Sequence, residues 1–127
     1  MKCFFDENLG FHLAHGLKGF GEDAIHLTDV FQKGTLDEDW LPYVADNDYV
    51  LFTRDNRILR RPQQLAIIKE RKIGAFFLMG KNMNRWNYIR QIVLAWHRIT
   101  AAAKKDPPPY AYKVNRYGTE VDKISLK

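Results

Sequence analysis

Asp6 and Asp55 each follow a short apolar run. Cys3-Phe4-Phe5 leads into Asp6-Glu7-Asn8, and Tyr49-Val50-Leu51-Phe52-Thr53 leads into Arg54-Asp55-Asn56. Carboxylates brought together repel one another unless a cation or a shared proton neutralises them. Two acids delivered to one place therefore point to a divalent cation. The ligands on offer are oxygen donors, which suit Mg2+ or Mn2+ better than zinc. A third acid is available from Asp37-Glu38-Asp39, just ahead of Trp40. Thr35-Leu36-Asp37-Glu38 also fits a capping box, which would make these acids purely structural. With Thr35 as the cap, however, Pro42 would fall in the helix interior at a cost of about 3 kcal/mol. A helix start near Asp37 to Asp39 brings Pro42 in or near the first turn and leaves Asp37 and Glu38 at the helix mouth. Either could be the third acid, although the helix dipole favours acids there in any case. Asp29 and Glu7 are lesser candidates.

Cations surround these acids. Arg54 and Arg57 bracket Asp55, Arg60 and Arg61 follow, and Lys81 and Arg85 come after a later apolar run. Guanidinium and ammonium groups beside a metal site can grip phosphates on either side of a scissile bond, or simply neutralise the acids. The charge is polarised along the chain. Residues 1–56 hold four bases against eleven acids (net −7), and residues 57–127 hold sixteen against four (net +12). A cation-binding cluster beside a basic surface suits a polyanionic substrate. The four histidines show no ligand spacing toward the acids and read as structural. No Ser-His-Asp or Cys-His nucleophile and no glycine-rich phosphate loop is present.

The elements that must position the acids follow from periodicity. At 127 residues, with 46% hydrophobic and 28% charged positions, the chain suits one globular domain. No run approaches the ~20 apolar residues that span a bilayer, and an acid at position 6 comes too early for a signal peptide. The single cysteine, Cys3, excludes an intrachain disulfide and a cysteine-rich zinc site, and the expected compartment is the cytoplasm. Apolar runs alternating with helical patterns predict an α/β domain with a mainly parallel sheet of four to five strands over residues 1–114. Strands are expected near 2–5, 24–27, 50–53 and 75–79, with an edge strand at 110–114. One helix should run from about Asn8, a second should carry Trp40, Leu41, Val44 and Ala45, and a third should open at Pro62. The longest should show an inward stripe of Trp86, Ile89, Val93 and Trp96 and end near Lys104. Residues 115–127 read as a polar, frayed tail. In such sheets ligands bind outside the carboxyl ends of the strands, which puts Asp6 and Asp55 at one crevice.

Phe4-Phe5-Asp6-Glu7-Asn8-Leu9, Gly34-Thr35-Leu36-Asp37-Glu38-Asp39-Trp40-Leu41, Leu51-Phe52-Thr53-Arg54-Asp55-Asn56 and Gly74 to Asn82 together resemble a PIN-like ribonuclease of the VapC toxin type. The resemblance covers most of residues 1–105. It implies an α/β/α sandwich, a metal-dependent endoribonuclease, and a toxin neutralised by a separately encoded antitoxin. It also implies that Asp6, Asp37 and Asp55 line the site, with Glu38 as helper or substitute for Asp37. Many PIN-like chains carry another acid shortly after the Thr-Arg-Asp element. Here Asn56 and Arg57 stand in that stretch, which favours one held metal over two.

The sequence thus predicts metal-assisted hydrolysis of RNA, with Arg54, Arg57, Arg60, Arg61, Lys81 and Arg85 on the backbone phosphates. Two other readings share some of these residues. A phosphoacceptor receiver domain would use Asp6-Glu7, Asp55 and Lys81, and a non-catalytic RNA-binding module would use the cations alone. An aromatic-rich surface would also suit a homodimer.

Overall fold

The computed structural model describes residues 1–126. Its strands are β1 (Lys2–Phe5), β2 (Asp23–His26), β3 (Val50–Thr53), β4 (Gly74–Leu78), β5 (Tyr110–Val114) and β6 (Val121–Ile124). Its α-helices are α1 (Phe11–Gly19), α2 (Asp37–Asp46), α3 (Pro62–Glu70) and α4 (Arg85–Lys105), with short 3-10 turns at Leu27–Asp29 and Asn56–Arg60. One sheet runs in the order β2-β1-β3-β4-β5-β6. The first five strands in that order are parallel, and β6 lies antiparallel to β5.

Alternation along each strand builds a core on both faces of the sheet. Cys3, Phe5, Phe52 and Phe76 face α1 and α4, packing with Leu13, Leu17, Ile92, Ala95 and Ile99. Phe4, Leu51, Ala75 and Phe77 face α2 and α3, packing with Trp40, Leu41, Val44 and Ile68. The result is the α/β/α sandwich that the motifs implied. On the first face Phe5, Phe52, Phe76 and Tyr112 stack in a ladder across β1, β3, β4 and β5, with ring centroids 4.8, 5.3 and 5.5 Å apart. Each such pair contributes about 0.5–1.5 kcal/mol beyond its burial, so the strands that carry the acids share one rigid aromatic spine.

Several expectations need correction. The sheet has six strands instead of four to five, and β5 is not an edge, because β6 covers it. The segment read as a frayed tail turns back at Asn115, whose Oδ1 accepts the Thr119 and Glu120 amides at 2.8 and 3.0 Å. Gly118 closes the turn at φ 72°, and a Cβ there would stand 2.4 Å from the Gln91 carbonyl oxygen. The first helix begins at Phe11 rather than near Asn8, whose side chain is engaged elsewhere. Pro42 lies in the second turn of α2, where its missing N–H leaves the Glu38 carbonyl without a helical donor.

The inward face of α4 is also rotated from the expected stripe. Tyr88, Gln91, Ile92, Ala95 and Ile99 are buried, whereas Trp86 and Val93 are 71% and 51% exposed. Gln91 explains the rotation. Its Nε2 donates to the Met79 and Asn115 carbonyls at 2.8 and 2.9 Å, turning residue 91 toward the sheet. Trp96 does pack inward, stacking on Phe52 at 6.1 Å. Among the described residues, no helix is long and apolar enough to cross a membrane.

Candidate active site

The parallel register brings the first two acids together. Phe5 pairs with Phe52, and the Asp6 amide continues the ladder by donating to the Phe52 carbonyl at 2.9 Å. Asp6 and Thr53 therefore leave the sheet side by side at the carboxyl ends of β1 and β3. The Thr53 hydroxyl, fully buried, donates to Asp6 Oδ2 at 2.8 Å and accepts the Asp55 amide at 3.1 Å. A third bond comes from Asn8 Nδ2, 3.2 Å from both Thr53 Oγ1 and Asp6 Oδ2. Asn8 Oδ1 in turn accepts the Arg54 amide at 3.2 Å. One hydroxyl and one carboxamide thus lock the two strand exits to each other.

Asp6 is nearly buried, at 6% exposure. Burial, with the charges of Asp37 and Asp55 adding to it, outweighs the lowering hydrogen bonds from Thr53 and the Glu7 amide and holds its carboxyl up at about 6. The Asp55 carboxyl is raised by burial, but hydrogen bonds and charge from Arg57, with the charge of Arg61, outweigh this and hold it below the ordinary range. Its Oδ1 accepts Arg57 Nε at 2.9 Å and the Arg57 amide at 3.1 Å, capping the 3-10 turn. Its Oδ2 faces Arg61 Nη1 at 3.4 Å, and the same nitrogen stands 3.3 Å from Asp37 Oδ2. Asp37, at the first position of α2, is raised by burial more than Arg61 lowers it.

The structure therefore brings Asp6, Asp37 and Asp55 to one crevice. It sends Glu38 elsewhere, since its carboxylate accepts from Gln64 Nε2 on α3. Glu7 accepts the Gly34 amide at 2.9 Å and steadies the loop before α2. Asp29 is turned away to His15 and to the His26 amide, at 3.0 and 2.8 Å. Arg54, Asp55, Arg57 and Arg60 line an open cleft of about 420 Å3 together with Asn8 and Asn56. The Arg54 guanidinium lies over the Tyr88 ring at 5.6 Å. Lys81 and Arg85 are exposed beyond the carboxyl end of β4. Sequence reasoning missed Thr53 and Asn8 as site builders. Their signal was position alone: the last residue of β3, and the second residue past Asp6.

Among the described residues, no group of three or more His, Cys, Asp or Glu stands close enough to hold an ion as arranged here. The donor chemistry nonetheless fits a hard cation, because three carboxylates interact and the most buried of them is raised first by its burial and then by the charges of the other two. Arg61 stands in the gap between Asp37 and Asp55.

Neither the curated proteins nor the solved structures contain a match to the chain. A model of the PIN-like domain matches residues 1–80, a span that includes β1 to β4, all three crevice acids, Asn8 and Thr53. With more than half its length so matched, the chain belongs to the PIN-like domain family, whose fold is of the nuclease type.

Proposed function

We propose that the protein is a metal-dependent endoribonuclease that hydrolyses RNA phosphodiester bonds. The supporting observation is the buried Asp6 carboxylate, bonded through Thr53 to the strand exit that carries Asp55 and electrostatically coupled to Asp37. Asp6, Asp37 and Asp55 would hold Mg2+ or Mn2+. Such an ion, when bound, lowers the pKa of a water and stabilises charge developing on phosphorus. The protein's own residues do the remaining work. Thr53 and Asn8 fix Asp6, Arg57 fixes Asp55, and a carboxylate orients the attacking water. Arg54, Arg60, Lys81 and Arg85 bind the flanking phosphates.

The test is cleavage of mixed cellular RNA in Mn2+. Asp6→Asn and Asp55→Asn should each lose roughly 10²–10³-fold in rate while keeping the fold by circular dichroism. Full cleavage by both variants would remove these acids from the mechanism. Salt-sensitive RNA binding that persists in EDTA, with no cleavage at any metal concentration, would favour the non-catalytic module. A phosphoacceptor role predicts acyl phosphate formation on Asp55 with a small phosphodonor, and that outcome would favour the receiver-like reading.

The finer reading, a toxin paired with a separately encoded antitoxin, rests on the motif resemblance to VapC-type chains. Expression should arrest growth, and Asp6→Asn should relieve the arrest.

A further inference from the structure

Arg57 and Arg61 both touch Asp55, but in different ways. Arg57 binds close, with Nε at 2.9 Å, and its own backbone amide reinforces the contact. Arg61 uses one nitrogen for two acids, at 3.3 and 3.4 Å. Both distances are long for charge-assisted bonds, which run at about 2.7–2.9 Å. The Arg61 backbone is fixed: it caps α3, its carbonyl accepts the Leu65 amide at 2.9 Å, and Pro62 follows. Its side chain is 38% exposed, so the guanidinium can swing to solvent while the main chain stays in place.

The charges are also unbalanced. Counting only the three acids and the guanidiniums bonded to them, Asp6, Asp37 and Asp55 bring three negative charges against the two positive charges of Arg57 and Arg61. Exchanging Arg61 for a divalent cation would bring that sum to zero.

We propose that Arg61 is a built-in counter-ion, bridging Asp37 and Asp55 until a divalent cation displaces it from between them. This inference rests on the metal-dependent reading above. Arg61 is thereby a positioning residue: it keeps two like charges facing one another in the ion-free protein, and it sets how much cation is needed to load the site. Displacement also frees its guanidinium for the phosphates of an RNA.

The experiment is a Mn2+ titration of the metal-stripped protein without RNA, by calorimetry and by loss of the free-ion paramagnetic resonance signal. Arg61→Gln should bind Mn2+ roughly three- to tenfold more tightly than wild type, the scale of one or two partly exposed ion pairs removed as competitors. Arg61→Lys, which keeps a positive charge, should stay near wild type. In EDTA, Arg61→Gln should melt below wild type and should gain more from added Mn2+. Equal or weaker Mn2+ binding by Arg61→Gln, with wild-type binding measurable and lost in Asp55→Asn, would overturn the counter-ion role and leave the metal site standing. No Mn2+ binding by either wild type or Arg61→Gln would overturn both.

Discussion

The two ends of the sheet differ in a way that separates room from chemistry. A cavity of about 860 Å3 lies at the amino ends of the strands, lined by Lys2, Tyr49, Val50, Gly74, Lys104 and Tyr110 among others. The acid crevice at the carboxyl ends opens on a cleft of half that volume. At the amino ends the charges terminate local structure. Lys2 donates to the Asn47 carbonyl at 2.6 Å and lies over Tyr49, and Arg71 pairs with Asp46. Lys72 and Lys104 stand at the C-termini of α3 and α4, where cations are favoured by the helix dipole. At the carboxyl ends the acids confront one another, one of them buried, and share their cations. Frustrated charge, more than volume, marks the end of the molecule suited to chemistry.

The sharpest test of this contrast is pH. Asp6 has a folded pKa raised to about 6 from an ordinary 3.8, so the folded state holds its proton more tightly than the unfolded chain. Ionised Asp6 therefore weakens the ion-free protein above about pH 6, and stability returns as pH falls toward 4. Relative to Asp6→Asn, wild-type unfolding free energy in EDTA should drop by up to roughly 3 kcal/mol between pH 4 and 7. Denaturant melts at several pH values measure it, and a gap that stays constant would show that Asp6 is not the strained acid described here. Saturating Mn2+ should narrow the gap at pH 7, because the cation supplies the missing counter-charge.

A matched pair of substitutions breaks the comparison at the next scale down. Thr53→Val removes the hydroxyl that joins Asp6 to the Asp55 amide and should cost about 1–3 kcal/mol. Gly74→Ala, at the opposite end of the sheet, places a Cβ 2.2 Å from the Tyr110 ring and should cost about as much, 1–3 kcal/mol, through overpacking. Only Thr53→Val should also lower Mn2+ affinity and the cleavage rate per folded molecule. Equal loss of cleavage in both would mean that global stability, rather than the Thr53 link, governs the site. The smallest effect belongs to the amino-end cations. Lys72→Ala with Lys104→Ala should leave cleavage within about twofold of wild type, and a larger loss would move RNA contacts to that end.

Much of this was legible in the chain. Phe4-Phe5 before Asp6 and Leu51-Phe52-Thr53 before Asp55 announced two buried parallel strands, because a strand buried on both faces is written as a continuous apolar run. Pro62 opened α3 as expected, since a proline at the first helical position forfeits no helical hydrogen bond. Val121-Asp122-Lys123-Ile124 was not legible. It is short and polar, and it is a strand because β5 offers an edge and the Asn115 turn aims it there. The face of α4 also escaped, because Trp86 and Val93 have the hydrophobicity of core residues, while the polar Gln91 is held inward by carbonyls from distant segments.

The sequence alone determined which residues could leave the sheet as acids, because strand periodicity and the types at positions 6 and 55 are local properties. It also determined the surplus of cations that follows them. Tertiary structure decided how those groups face each other. Asp37 rather than Glu38 turns to Asp55, Thr53 ties one strand exit to the other, and Arg61 stands between two carboxylates. Each of these depends on register between segments distant in the chain, and register is fixed by packing across the whole sheet rather than by any stretch of residues read alone.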